Sequence, residues 1–180
     1  CAPSADDTVQ DIARIVKEYS IPQKRLIETA MYAPEWVDLI EEYLQIPGFK
    51  SAVYYFMAHM NEQFDARRTA IIAKYTPLTT DDLNAGAFDV EWFNSAYGML
   101  GEAQFKLLYD AAKYISDGAK HSRARKYADA SLGLMDIAET EAQIMDKRNK
   151  DLVMAYALIP VHSEDEIVHR YLFLQEFLRQ

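Results

Sequence analysis

The stretch FKSAVYYFMAHMNEQFDARRTAIIAKY, residues 49–75, decides the fold. Phe49, Val53, Phe56, Met57, Met60, Phe64 and Ile71 recur mostly at three- and four-residue steps, which places them on one face of an α-helix. Strict alternation, the mark of a half-buried strand, is absent. The spacing predicts one long helix over 49–75, and Pro47-Gly48 breaks the chain just before it.

The same period continues on both sides. Upstream, Val9, Ile12, Ala13, Ile15, Val16 and Tyr19 form one helix face, with Asp6, Asp7 or Thr8 as its cap. Pro22 and Pro34 suit the first turns of two short helices. Leu26, Ile27, Ala30 and Met31 turn inward in the first, and Val37, Ile40, Tyr43 and Leu44 in the second. Downstream, residues 76–86 read as the longest connection, with a short helical turn around 80–83. A helix is expected over 89–117, with Phe93, Tyr97, Leu100, Leu107, Ala111, Tyr114 and Ile115 inward and Gly118 as its stop. Another long segment starts at Ser122 and stops at Pro160, with Tyr127, Leu134, Ala138, Met145, Leu152 and Tyr156 inward. Its wholly polar run, 146–151, either projects past its neighbours or breaks the helix. Ser163 and Glu166 form a capping box for the last helix, whose stripe is Ile167, Val168, Tyr171, Leu172, Leu174 and Leu178.

The expected fold is therefore all-α. About four longer helices form an antiparallel bundle, and three short N-terminal helices pack against it. Residues 1–7 read as a flexible tether and 8–180 as a single domain. Helix lengths are unequal and no period near 34 residues emerges, which argues against a solenoid.

Composition narrows the function. The chain has 180 residues, half of them apolar, and a formal net charge of -9. Such a surface repels phosphate backbones, so no nucleic-acid partner is expected. No apolar run approaches the roughly 20 residues that span a bilayer, 52–58 being the best. A single cysteine makes neither an intramolecular disulfide nor a cysteine-built metal cage. Gly-x-Ser-x-Gly, phosphate-binding Gly-rich, His-Glu-x-x-His and EF-hand patterns are absent. No cofactor is expected.

That lone cysteine is Cys1. The stretch Cys1-Ala2-Pro3-Ser4-Ala5-Asp6-Asp7 resembles the start of a mature bacterial lipoprotein, a processing class and not a fold family. The resemblance implies acyl chains on Cys1 followed by a short polar tether. Ala2, where an Asp would be the alternative, implies the outer membrane in Gram-negative members. A second acyl chain makes anchoring stable, at ~0.8 kcal/mol per buried CH₂. The expected location is the bacterial envelope, with the domain in the periplasm.

Chemical leads are few. Glu166-Ile167-Val168-His169 resembles the Glu-x-x-His of ferritin-like di-iron proteins, where the i, i+3 spacing aims both ligands to one side. That family needs a second such motif. His59-Met60-Asn61-Glu62 reverses the order, and Glu102 is followed three residues later by Phe105. At about 100° per residue, His169 lies almost opposite the stripe of its helix, Glu166 well off it, and His59 off the stripe of 49–71. The metal reading on Glu166 and His169 is thus the weakest alternative.

Gln104 and Glu141 do fall on apolar stripes. They read as a structural polar pair served by a tyrosine hydroxyl or an arginine, or alternatively as polar contacts in a pocket for an apolar small molecule. Tyr55 and Tyr109 face outward by the angular reckoning, and with Trp36 they are the candidate partner-binding residues. The expected function is a lipid-anchored helical accessory or scaffold protein that docks an envelope partner.

Overall fold

The computed structural model describes residues 2–115 and 120–180; Cys1 and the Gly118 helix stop lie outside them. The described residues are all-α, with no strand among them. The chain divides into two compact units, Cys1–Arg125 and Lys126–Gln180.

In the first unit, α1 (Val9–Tyr19) opens with a capping box. The Thr8 hydroxyl accepts from the Asp11 N–H, and the Asp11 carboxylate accepts from the Thr8 N–H. Helices α2 (Gln23–Tyr32) and α3 (Val37–Leu44) follow, joined by a 3₁₀ turn, Pro34–Trp36. Next come α4 (Phe49–Ala58), α5 (Ala66–Ile72), α6 (Thr80–Ala85) and α7 (Val90–Ala111). Helix α4 packs on α7, as does α2, and α1 packs on α3.

The expected helix over 49–75 is two helices. Phe49 and all of 52–58 are buried, so α4 is enclosed on every side, as suits a helix apolar all round. Asn61 and Asp65 then favour turn and cap geometry over helix. Asp65 starts α5 by accepting from the Arg68 N–H at 2.7 Å.

The expected helix over 89–117 is continuous only to Gly101, whose φ of 76° and ψ of 166° kink it. The kink rotates its second half. Before it, Phe93, Ala96 and Leu100 face the core; after it, Phe105, Leu108 and Ala111 do, and the expected Leu107 is only half-buried. Gly48, at φ 79°, sits against this helix, and a Cβ there would lie 3.0 Å from the Met99 side chain.

The segment from Ser122 to Pro160 is cut into three. Helix α8 (Ser122–Ser131) runs across the boundary between the units, and α9 (Ile137–Lys147) and α10 (Lys150–Leu158) follow. The polar run 146–151 breaks the chain. Arg148 takes a left-handed φ of 47°, and the Asn149 side chain caps α10 by accepting from the Leu152 N–H at 3.0 Å. Tyr127, Leu152 and Tyr156 are buried as expected, whereas Leu134, Ala138 and Met145 are exposed.

The last helix, α11 (Glu164–Arg179), turns the opposite way from expectation. Its one buried side chain is Arg170, at 6% exposure. The expected stripe faces outward, with Ile167 at 55%, Tyr171 at 61% and Leu178 at 74% exposure. Both faces of this helix are apolar, since Phe173 and Phe177 lie off that stripe, and Leu174, expected on it, is half-buried as they are. Periodicity therefore could not choose between them.

Candidate functional site

The buried end of the first unit is an aromatic cluster around Tyr55. This residue is fully buried, not outward-facing, which removes it from the partner-binding set. Its ring lies 5.2 Å from Phe56, 5.6 Å from Phe93, 6.0 Å from Trp92 and 6.3 Å from Phe105, centroid to centroid. The unbroken apolar run 52–58 was the signal: on such a helix no face is left for water.

His59 ends α4 inside this cluster, again contrary to the angular reckoning. The Asp89 N–H donates to Nε2 at 3.3 Å, so Nδ1 carries the proton and donates to the Tyr55 carbonyl at 2.9 Å. Burial pushes its pKa down to about 4, which keeps the ring neutral at physiological pH. A neutral imidazole with both nitrogens engaged joins α4 to the start of α7 and is a structural group.

Tyr109 and Trp36 are half-buried. The Arg125 guanidinium stands 4.9 Å from the Tyr109 ring centroid and its Nε–H donates to the Tyr109 carbonyl, while Lys106 Nζ lies 5.0 Å from the same ring. Two cations thus lie beside the Tyr109 ring. Gln104 is half-buried at a cleft of the first unit, where its Oε1 accepts from Gln23 Nε2 at 3.0 Å.

Glu141 belongs to the second unit and has the tyrosine partner that a half-buried carboxylate needs. The Tyr156 hydroxyl donates to Glu141 Oε1 at 2.6 Å, and His169 Nε2–H donates to the same oxygen at 2.8 Å. Burial, and then this carboxylate, push the Tyr156 phenol well above its ordinary range, so it stays a donor. The bond joins α9 to α10, and His169 adds α11. Tyr156→Phe is expected to cost the second unit about 1.5–3 kcal/mol, the worth of a hydrogen bond to a charged group. Denaturant unfolding measures it, and a loss below ~0.5 kcal/mol would show the bond to be incidental.

Arg170 completes this arrangement. Its Nη1 donates to the Ile159 carbonyl at 2.5 Å and its Nη2 to the Pro160 carbonyl at 2.9 Å. These bonds satisfy carbonyls at the end of α10 and explain why a guanidinium is the buried group of α11. Phe173 packs 5.4 Å from the Tyr156 ring. Glu166 accepts from the His162 N–H at 2.9 Å, in place of the Ser163 N–H of a strict capping box. Glu166 and His169 thus serve different partners. Among the described residues no group of three or more His, Cys, Asp or Glu could hold a metal ion.

What remains unoccupied is the outer face of α11, where Ile167, Val168, Tyr171, Leu172 and Leu178 are exposed together. Glu164 and Asp165 border it in the first turn. Among the described residues no helix is long and apolar enough to cross a membrane.

One family model matches the chain over residues 1–180, described as a family of unknown function, DUF5724. No curated protein and no solved structure matches.

Proposed function

The chain belongs to the DUF5724 family, whose description carries no activity, and we propose from its residues that it is a helical accessory protein docking a protein partner of the bacterial envelope through α11. The observation that carries this reading is the exposed apolar face of α11 on a helix whose only buried side chain is an arginine. Contiguous apolar surface of this kind favours burial against a partner, and its tyrosine adds contact area with a polar tip. The acidic first turn and the chain's net charge of -9 suit a partner whose apolar surface has a basic rim. The same charges repel an anionic lipid headgroup layer. The docking residues we propose are Ile167, Tyr171, Leu172 and Leu178; burial excludes Tyr55, and Tyr109 and Trp36 are half-buried.

A photo-crosslinking residue placed at position 171 in cells should give one discrete protein adduct. The same residue at Tyr32, 77% exposed in the first unit, should give none. Leu172→Glu should abolish the adduct while changing unfolding free energy by less than ~0.5 kcal/mol, as surface substitutions do. Equal, diffuse labelling at both positions would refute the docking role of α11.

The envelope location forms part of the same proposal and rests on the Cys1 stretch. Intact mass of the full-length gene product, extracted from membranes with detergent, tests it. A mass greater than that of the chain from Cys1 by several acyl chains is expected, and an unmodified soluble product would refute the anchor.

A further inference from the structure

Opposite charges stand at the two ends of the exposed face of α11. Seven residues advance an α-helix by two turns less about 20°, so Asp165, Leu172 and Arg179 fall along one line of this helix. All three are exposed, with Ile167, Val168, Tyr171 and Leu178 beside them. Neither the Asp165 carboxylate nor the Arg179 guanidinium has a hydrogen-bond or ion-pair partner among the described residues. Two charges nearer the middle turn elsewhere, His169 to Glu141 and Arg170 to the carbonyls at the end of α10.

Leu172 lies midway between the two free charges. A two-fold axis through Leu172 turns the helix end for end. It sets Asp165 of one copy beside Arg179 of the other, and does so twice. Leucine meets leucine at the axis, and the apolar residues on either side cover each other. A parallel copy would instead bring Asp165 to Asp165 and Arg179 to Arg179. Antiparallel helices also place each positive N-terminus beside a negative C-terminus.

We propose that α11 pairs with α11 of a second copy of this chain, antiparallel about Leu172, to form a symmetric dimer. The inference rests on the docking reading of this helix and names its occupant, with Arg179 as the basic group at the edge of the partner's apolar surface. The charge of -9 on each copy opposes approach, and at physiological ionic strength it is screened beyond about 8 Å. The 16 residues of α11 make a strip about 24 Å long, which covers less than the ~800 Å² per partner of a standard interface. The dimer is therefore weak, with a Kd on the order of tens of micromolar.

The test is sedimentation velocity of the full chain, with reductant present so that Cys1 forms no disulfide dimer. From about 2 to about 300 μM, monomer should give way to dimer. Leu172→Glu should abolish the dimer. Asp165→Lys and Arg179→Glu should each weaken it by at least about fivefold, since two exposed ion pairs become two repulsions. The double variant keeps the wild-type net charge and restores both pairs, so it should recover the wild-type Kd to within about twofold. Equal unfolding midpoints in urea show that each variant is folded. A monomer at every concentration overturns the proposal, as does a dimer indifferent to Leu172→Glu or a double variant no tighter than the single ones. An Asp165→Lys dimer tighter than wild type overturns the antiparallel sense. The photo-crosslinked adduct at position 171 separates this inference from the docking reading. An adduct with the mass of two chains supports both. An adduct with a different protein leaves the docking reading standing and overturns the second copy, whereas a monomer without any adduct overturns both.

Discussion

Tyr55→Ala should lower the unfolding free energy of the first unit by about 3–5 kcal/mol, the usual cost of truncating a buried aromatic side chain to alanine. The side chain is fully buried, and its ring meets those of Phe56, Phe88, Trp92, Phe93 and Phe105. These rings come from α4, α7 and the loop before α7, so the cavity cannot close by moving one element. Edge-to-face pairs such as Tyr55–Trp92 add to the loss beyond the area removed from water. Tyr32→Ala is the control, since Tyr32 is exposed, and it should change stability by less than ~0.5 kcal/mol. Urea unfolding followed by tryptophan fluorescence reads both. A loss below ~1 kcal/mol for Tyr55→Ala would place this residue at the surface after all.

Acid should weaken the first unit through His59. Its folded pKa of about 4 lies below the ordinary histidine value, so the unfolded chain binds the proton more readily. The stabilisation is complete above pH ~6.5 and is lost as the pH falls toward 4. The full loss is about 3 kcal/mol, from a depression of roughly two and a half units. Carboxylates also titrate in this range, so the comparison must be with a variant. His59→Phe keeps an aromatic ring beside Phe88 and Trp92, which lie 4.9 and 5.8 Å from the imidazole. It sacrifices the bond from the Asp89 N–H and so costs stability at pH 7.5. Between pH 7.5 and 4.5 the wild type should lose about 2–3 kcal/mol more than this variant. Parallel pH profiles would show that folding leaves the His59 pKa unchanged, so that burial does not hold the ring neutral.

Helix identity was legible in the chain because it depends on local spacing. Thr8, Ser163 and the prolines at 22 and 34 marked helix starts from side-chain chemistry alone, and the structure has helices beginning at or beside each. Glu141 was legible in part: a carboxylate on an apolar stripe calls for a tyrosine hydroxyl or an arginine, and the tertiary structure makes it the Tyr156 hydroxyl. Helix length was less so. A stripe continues through a break when the next helix happens to resume the same phase, as at 59–65, and Gly101 kinks α7 without any proline to announce it.

Facing is where packing overruled pattern. On α4 the residues between the stripe positions are as apolar as the stripe, so Tyr55 and the neighbouring His59 are drawn inside with it. On α11 two apolar faces compete. Arg170 settles the choice by binding the Ile159 and Pro160 carbonyls, partners distant from it in the helix pattern and adjacent to it in space. The amino-acid order thus suffices for an all-α chain with its caps, and for the need of a polar partner at Glu141 but not for which residue supplies it. Which face of each helix meets water follows from contacts between segments far apart in the chain, because burial is a property of neighbours and not of spacing.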